Sequence, residues 1–292
     1  MTKIEVVTDS TAYLPPELVE REGISVISMY YDMGTNGATP ELDVGGDFGE
    51  FYEQLATAEQ VPTTSPPSVE DFEAVYAPLL AGGASVVAVH ASSALSEACT
   101  NARAAAQRLV DSGQGGERIE VVDSAAIAGQ LGLLVLAAAR LSRAGMDLPA
   151  VLERVKAMRQ ETKSWFMVDT LDYLRRGGRI GTAAAWIGGA LQFKPILTLE
   201  SEITAVERVR TRERAVERLV ELMRHWKAAG ADTFFVHHTS AHDDVQDLAE
   251  RLREIYWRPP EFVSELGPVL GTHTGPGLLG VGAGPSRFFE PS

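Results

Sequence analysis

Residues 68–93, SVEDFEAVYAPLLAGGASVVAVHASS, place a helical pattern directly before a short apolar strand. The helical pattern occupies residues 68–81, and the continuous apolar run at residues 85–90 is typical of a buried strand. Ser68 and Asp71 have the spacing of a capping-box variant, which predicts that the helix begins at this serine. A helix followed at once by a buried strand is the repeating unit of an α/β fold.

The alternation of strands and helices continues on both sides of this segment. Strand-like runs occur at residues 4–8, 24–31 and 119–122, and helical patterns at residues 15–22, 47–57, 96–112 and 129–144. Such alternation favours a parallel sheet that is covered by helices on both faces. Ligands bind these sheets where the strands end, and Asp9, Ser92 and Asp123 each begin a polar segment at such a position.

A second α/β region follows in the C-terminal half. Helical patterns are found at residues 148–160, 211–229 and 241–256, and strand-like runs at residues 165–168, 196–199, 204–209, 233–237 and 262–266. A chain of 292 residues is also longer than a typical domain with a single hydrophobic core. We therefore predict two domains, residues 1–160 and 161–292, each with a parallel or mixed sheet flanked by helices.

The composition limits the classes of partner and location. The chain has 26 Lys and Arg against 40 Asp and Glu, a net charge of -14, which argues against nucleic acid and allows at most transient membrane contact. The single cysteine, Cys99, and an N-terminus without a signal-peptide pattern predict a cytoplasmic protein. The longest nearly apolar stretch, residues 125–139, is too short to cross a bilayer and predicts a buried helix.

Residues 266–281, LGPVLGTHTGPGLLGV, carry the strongest indication of a binding site. Five glycines and two prolines surround His273, and Thr272 and Thr274 flank it. Glycine and proline fix unusual backbone angles and let a ligand approach the main chain, while the three polar side chains supply hydrogen bonds. Three other clusters have the same character, and we expect all four to form one polar site: residues 63–68 (TTSPPS), 92–96 (SSALS) and 172–179 (DYLRRGGR).

Each serine or threonine in these clusters also has a structural interpretation. Asp9, with Ser10 or Thr11, has the position of a cap for the helix that starts near Pro15. Ser93 or Ser96 has the position of a cap for the helix after residue 96, and if Ser93 is not the cap, its hydroxyl is placed to bind an anion beside the positive end of that helix. Since Ser68 is expected to cap its own helix, the hydroxyls before it in the TTSPPS cluster stay available for a ligand.

The arginines of the DYLRRGGR cluster form the densest basic group outside the amphipathic helices. Gly177 is expected to end the short helix before it, and Arg175, Arg176 and Arg179 would then complement the helix dipole. The alternative is that these arginines contact a phosphate or an acidic partner surface.

Covalent catalysis, metal binding and nucleotide binding have weaker support. No serine lies in the G-x-S-x-G turn that exposes a nucleophile in α/β-hydrolases. His237, His238 and His242 straddle a predicted strand–loop–helix junction with no second ligand group nearby in sequence, so we expect no metal site. The pairs Gly177-Gly178 and Gly188-Gly189 match neither dinucleotide-binding nor P-loop spacing.

The ordered motifs resemble those of the DegV family over nearly the whole chain. These motifs are VTDSTAYLP, TTSPPS, ASSALS, VVDSAAIAGQLGLLV, DTLDYLRRGGRI and GTHTGPGLLGV. The resemblance implies a bacterial two-domain α/β protein that binds one long-chain fatty acid between its domains. It also implies a subunit that presents the fatty-acid carboxylate to a separate ATP-dependent fatty acid kinase and passes the acyl phosphate to phospholipid synthesis. Such a protein is not itself an enzyme and needs no cofactor beyond the bound fatty acid.

The resemblance also assigns the site residues. Thr64, Ser93 and His273 would bind the carboxylate, with possible secondary contacts from Ser65, Ser92, Thr272 and Thr274, and the docking surface for the kinase would include Arg175, Arg176 and Arg208. Two positions depart from the family pattern, because Glu97 follows Ser96 where the family has glycine and Pro66 stands where it has glutamine.

The hydrocarbon tail would supply most of the binding energy. At about 0.8 kcal/mol per buried methylene, roughly 14 methylenes set an upper limit of about 11 kcal/mol. Apolar residues of the second domain are candidates for the wall around the tail: Trp165, Phe166, Ile180, Trp186, Ile187, Leu191, Phe193, Ile196 and Leu270.

Two alternative functions remain open at this point. The first is a serine esterase or thioesterase that uses Ser93 and His273. The second is a carrier or sensor of another amphiphilic lipid with no kinase partner.

Overall fold

The computed structural model describes residues 2–34, 37–58, 60, 62–187 and 193–291. Its internal contacts divide the chain into two compact units. The first unit contains Met1–Met29, Ser65–Glu161 and Ser286–Ser292, and the second contains Tyr30–Thr64 and Thr162–Pro285. The break after Glu161 lies beside the predicted boundary between residues 160 and 161, whereas residues 30–64 group with the C-terminal unit.

The described residues form thirteen strands and ten α-helices. The strands are β1 (Ile4–Asp9), β2 (Ile24–Ile27), β3 (Tyr30–Asp32), β4 (Thr39–Pro40), β5 (Thr63–Ser65), β6 (Ser85–His90), β7 (Ile119–Asp123), β8 (Lys163–Met167), β9 (Lys194–Glu200), β10 (Glu202–Val209), β11 (Thr233–His238), β12 (Phe262–Glu265) and β13 (Leu279–Gly284). The helices are α1 (Pro16–Glu22), α2 (Gly49–Thr57), α3 (Val69–Ala81), α4 (Ala98–Asp111), α5 (Ala128–Arg143), α6 (Leu148–Glu161), α7 (Asp172–Arg176), α8 (Arg212–Ala228), α9 (His242–Tyr256) and α10 (Pro268–Thr274).

The first unit is built on a parallel four-stranded sheet with the order β2-β1-β6-β7. Helix α3 begins with the predicted capping box, in which the Asp71 N–H donates to Ser68 Oγ at 3.1 Å and the Ser68 N–H donates to the Asp71 carboxylate at 2.8 Å. Helix α5 is buried from Gly129 to Ala139, which confirms the predicted buried helix. Among the described residues, no helix is both long and apolar enough to cross a membrane.

The C-terminal residues complete the core of the first unit. Phe288 and Phe289 are 4% and 7% exposed, in a short 3-10 turn at Ser286–Phe289. The Arg140 guanidinium lies 4.5 Å from the centre of the Phe289 ring, and the Arg154 guanidinium lies 5.1 Å from that of Phe288. These contacts tie the end of the chain to helices α5 and α6.

The second unit is built on a six-stranded mixed sheet with the order β10-β9-β8-β13-β11-β12. Only β11 and β12 pair in parallel, and the other neighbours are antiparallel. Side chains from this sheet and from α8 and α9 form one buried cluster that includes Met167, Phe234 and Leu248. A small sheet of order β4-β3-β5 precedes it in the chain. The parallel and mixed sheets confirm the predicted fold class.

The sequence prediction was wrong at residues 24–31, which were expected to form one strand. Strand β2 ends at Ile27, and β3 pairs instead with β4 in the second unit. Between them, the Met29 N–H donates to Ser10 Oγ at 3.1 Å. The hydroxyl of Ser10 thus holds the point where the chain leaves the first sheet.

The predicted cap of the helix near Pro15 was also wrong. The Asp9 carboxylate accepts the Thr11 N–H at 3.1 Å and caps a 3-10 turn, Ser10–Ala12, while α1 follows Pro15 with no side-chain cap. Proline has no N–H, so a proline in the first turn leaves no backbone donor without a partner at that position.

Two elements near the C-terminus, α10 and β13, were not expected from the sequence. Strand β13 contains three glycines, which have low strand propensity. Gly282 is required there because a Cβ at this position would lie 2.4 Å from the Phe235 ring. Tertiary packing therefore overrides the local preference in this strand.

Candidate functional site

His273 lies in the last turn of the short helix α10, in the second unit. Pro268 occupies the first turn, and Gly275 ends the helix with φ 71° and ψ 177°, a conformation that side chains with a Cβ strongly disfavour. The Gly275 N–H donates to the Gly271 carbonyl at 2.8 Å. The glycine-rich segment thus fixes the direction in which the imidazole points.

The structure brings together two of the three residues assigned to carboxylate binding. Thr64, in β5, lies with Oγ1 2.8 Å from His273 Nε2, although the two residues are 209 positions apart in the chain. Both residues belong to the second unit. The direction of this hydrogen bond depends on the imidazole tautomer.

The imidazole of His273 is neutral at pH 7. Burial, with a smaller effect from the positive charge of Arg179, lowers its pKa to about 4. Its second ring nitrogen, Nδ1, is buried and has no hydrogen-bond partner among the described residues. His273 therefore serves as a hydrogen-bonding group rather than as a cation.

Helix α7 reaches this site because two glycines permit close contact. A Cβ on Gly177 would lie 2.2 Å from His273 Nδ1, and a Cβ on Gly275 would lie 2.2 Å from the Tyr173 ring. Gly177 also ends α7, as predicted. The DYLRRGGR and THTGPG segments therefore pack directly against each other.

Two buried polar residues that were not predicted from the sequence hold the N-terminal end of α10. The Glu41 carboxylate is 3% exposed and accepts the Val269 N–H at 2.9 Å. The Tyr52 hydroxyl donates to the Leu266 carbonyl at 2.5 Å. No local sequence pattern marks either residue, because both contacts join segments more than two hundred positions apart.

Ser93, the third assigned residue, lies in the first unit and bonds to Asp123 at the end of β7. Its hydroxyl donates to Asp123 Oδ2 at 2.5 Å, and its N–H donates to Oδ1 at 3.3 Å. Burial raises the pKa of the Asp123 carboxyl, but hydrogen bonds from Ser93 and Ala125 and the charge of Arg103 outweigh it, so the pKa lies below its usual value. Ser93 thus holds a carboxylate by two donors.

Ser93 does not cap the following helix, which corrects one of the two interpretations left open by the sequence. Helix α4 begins after Glu97 with no side-chain cap at that residue. Ser96 Oγ instead accepts the Ala98 N–H at 3.2 Å.

A buried polar network supports the segment that carries Ser93. Asp9 Oδ2 lies 3.0 Å from His90 Nδ1 and accepts the Ala91 N–H at 3.0 Å, and His90 Nε2 lies 2.8 Å from the Tyr76 hydroxyl. Burial alone would raise the pKa of Asp9. Its hydrogen bonds and the charge of the nearby His90 lower the pKa by more than burial raises it, so the pKa lies below its usual value. The ends of β1 and β6 are therefore tied together just before the serines.

The secondary candidates are mostly engaged within the fold. Ser92 Oγ accepts the Ala94 N–H at 3.3 Å, and the Thr274 hydroxyl donates to the Leu270 carbonyl at 3.0 Å. Thr272 Oγ1 is buried with no hydrogen-bond partner among the described residues. Ser65 is exposed at the end of β5.

The three arginines assigned to docking are exposed. Arg175 lies 3.3 Å from the carboxylate of Asp172, within α7. The Arg208 guanidinium lies 5.5 Å from the Trp186 ring centre and 5.3 Å from that of Phe193. Arg208 is therefore held by aromatic faces, while the α7 arginines extend towards solvent.

The apolar residues proposed as tail walls fall into different environments. Ile196 belongs to the buried core of the second unit, and Trp165 packs against that core. Ile187 is 48% exposed. Leu191 and the Gly188-Gly189 pair lie outside the described residues.

Comparison with known proteins places these motifs in one family. The family model described as "Uncharacterised protein, DegV family" matches residues 3–286. A DegV domain-containing protein of Streptomyces coelicolor is 40% identical over 286 residues, covering 95% of this chain and 97% of the relative.

Two solved structures are similar over nearly their whole length. One, from Thermus thermophilus and described as showing fatty acid binding of a DegV family protein, has 33% identity and a TM-score of 0.88, with 97% of this chain and 100% of that chain covered. The other, Bacillus subtilis DegV, described as a fatty acid binding protein, has 31% identity and a TM-score of 0.85, with 97% and 99% covered.

Proposed function

Because the chain belongs to the DegV family, we propose that it binds a long-chain fatty acid and presents the carboxylate to a separate ATP-dependent fatty acid kinase subunit. Two solved relatives at 33% and 31% identity are described as fatty acid binding. The observation that carries the proposal is the hydrogen bond of Thr64 to the neutral imidazole of His273, beside the tightly packed glycine segments.

A hydroxyl backed by a neutral imidazole suits a carboxylate that must stay reactive. When His273 carries its proton on Nε2, it donates to Thr64 Oγ1, and the Thr64 hydroxyl proton is available for a carboxylate oxygen. Neutral donors stabilise the anion by hydrogen bonds without a full ion pair. One carboxylate oxygen then attacks the γ-phosphorus of ATP on the kinase, the bond to ADP breaks, and an acyl phosphate forms.

Ser93 completes the proposed carboxylate-binding set. Its hydroxyl and N–H already hold the Asp123 carboxylate, so this segment has the donors that an acidic head group requires. The hydrocarbon tail supplies most of the affinity, up to about 11 kcal/mol for roughly 14 buried methylenes.

A serine esterase has less support than lipid presentation. The Ser93 hydroxyl is bonded to Asp123 and the His273 Nε2 to Thr64, so each group has a different partner. A base in a catalytic triad also needs a group that orients its second nitrogen, and His273 Nδ1 has no such partner among the described residues.

The proposed docking surface for the kinase includes Arg175, Arg176 and Arg208. Arginine forms bidentate contacts with carboxylates, which suits an acidic partner surface. The exposure of α7 beside the His273 segment supports this assignment, since a kinase must reach the head group.

Ligand identity is tested by mass spectrometry of the full-length protein after native purification and extraction with organic solvent. We expect one long-chain fatty acid per chain, in close to equal molar amount. A protein that yields no fatty acid, and that does not bind added palmitate in calorimetry, would contradict the proposal.

The presentation step is tested with palmitate, ATP and a purified ATP-dependent fatty acid kinase subunit. We expect Ser93→Ala to reduce acyl-phosphate formation at least about tenfold while the melting temperature stays within a few degrees of wild type. Ser96→Ala removes the same hydroxyl from a residue whose Oγ accepts the N–H of Ala98, two positions further on, and it should retain activity. A loss of thermal stability in Ser93→Ala as large as its loss of acyl-phosphate formation would assign Ser93 a structural role, and palmitate binding without phosphorylation would favour a carrier with no kinase partner.

A further inference from the structure

A second group of polar side chains lies in the second unit, at the neighbouring ends of β11 and β12. Ligand atoms of His238, His242 and Glu265 all lie within 4.8 Å of one another. Glu265 Oε1 is 3.9 Å from His238 Nδ1 and 3.9 Å from His242 Nε2. Two imidazoles and one carboxylate form a common ligand set for divalent transition metals.

We propose that His238, His242 and Glu265 bind a divalent transition metal ion of the zinc class, with one coordination position left to water. This site goes beyond fatty acid binding and does not depend on it.

The topology explains why these three residues meet. Strands β11 and β12 are parallel, and His238 and Glu265 are direct partners in their register, each the last residue of its strand. Helix α9 begins at His242, four positions after His238. The sequence showed only the histidines, and the second kind of ligand comes from a strand that lies more than twenty positions further along the chain.

The spacing of the ligand atoms is close to that of a metal centre. Bonds of about 2.1 Å in a tetrahedral site separate the ligand atoms by about 3.4 Å. The two distances of 3.9 Å are only slightly longer. The side chain of His242 is 72% exposed, so it can rotate to shorten its distance to Glu265.

The backbone of the intervening loop orients two of the ligands. The Ser240 N–H donates to Glu265 Oε1 at 2.8 Å, and the Ala241 N–H donates to His238 Nδ1 at 3.2 Å. The second bond places the lone pair of the neutral His238 imidazole on Nδ1, the atom that faces Glu265. Metal binding exchanges this long hydrogen bond for a coordinate bond.

A bound ion would stabilise the segment that carries His273. Thr239, between the ligands, donates from Oγ1 to the Gly275 carbonyl at 2.7 Å and accepts the Leu278 N–H at 2.8 Å. The loop that holds the metal ligands therefore also holds the turn after α10, so an ion there should raise the melting temperature.

The test uses Zn²⁺ alone, titrated calorimetrically into full-length protein from which a chelator has removed metals. We expect one ion per chain and a higher melting temperature with Zn²⁺ than in EDTA. His242→Ala and Glu265→Gln should each weaken binding at least about tenfold. The matched control is His225→Ala, which removes an exposed imidazole in the last turn of α8 and should bind as wild type does.

His242→Ala keeps the test decisive if Glu265→Gln disturbs the loop, because the His242 side chain is exposed and its loss should not affect folding. Absence of Zn²⁺ binding by the wild-type protein would overturn the proposal. So would equal Zn²⁺ affinity in wild type and His242→Ala, since the ion would then bind elsewhere.

Discussion

Gly275→Ala is expected to lower the free energy of unfolding by about 3 kcal/mol or more. The backbone at Gly275 has φ 71°, and a Cβ there would lie 2.2 Å from the Tyr173 ring, so the variant suffers both backbone strain and a clash. Because the ring belongs to α7, relief of the clash must separate α7 from the segment that carries His273. Urea unfolding followed by circular dichroism measures the change.

Gly178→Ala is the matched control for this prediction. Gly178 has nearly the same φ, 70°, but a Cβ there would meet no atom within 4 Å. Gly178→Ala should therefore lower the free energy of unfolding only by the backbone strain, about 1 kcal/mol. Equal destabilisation by the two variants would show that the contact of α7 with Gly275 contributes nothing to stability.

His237 and His273 together are expected to lower the free energy of unfolding by about 4 kcal/mol between pH 7.5 and pH 5. Burial lowers the pKa of His237 to about 3 and that of His273 to about 4, both below the value near 6.5 of an unfolded chain. As the pH falls, the unfolded chain therefore takes up protons first, and each histidine costs about 2 kcal/mol of stability by pH 5.

Urea unfolding at a series of pH values, in EDTA so that no metal ion contributes, measures this dependence. Stability should decrease as the pH drops below about 6.5, and the contribution of these two histidines should vanish above about pH 7.5. In His273→Gln the decrease should be smaller by about 2 kcal/mol. A flat profile from pH 7.5 to 5 would contradict the burial of neutral imidazoles.

Local patterns predicted those parts of the fold that depend on nearby residues. The capping box of Ser68 and Asp71 and the strand Ser85–His90 follow from side chains only a few positions apart. Strand β13 and helix α10 were missed because their glycines and β-branched residues are stabilised by packing against distant segments. Propensity carries no information about such contacts.

The same distinction applies to the candidate site. Thr64 and His273 were each predicted from their motifs, but their hydrogen bond joins strand β5 to helix α10, and the two residues are 209 positions apart. The role of Gly177 as the neighbour of His273 and the support from Glu41 have no local signature either. Asp123 was predicted as the first polar residue after its strand. Its bond to Ser93, in contrast, depends on how β6 and β7 align in the sheet.

The order in which the segments of the two units follow one another along the chain also has a consequence for biosynthesis. Ser286–Ser292 groups with residues near the N-terminus, and Phe288 and Phe289 are buried there. These phenylalanines leave the ribosome only after every residue of the second unit has been translated. The unit whose synthesis starts first therefore gains the last residues of its core only after the second unit has been synthesised, and the apolar surface that these residues cover stays exposed in the nascent chain until then.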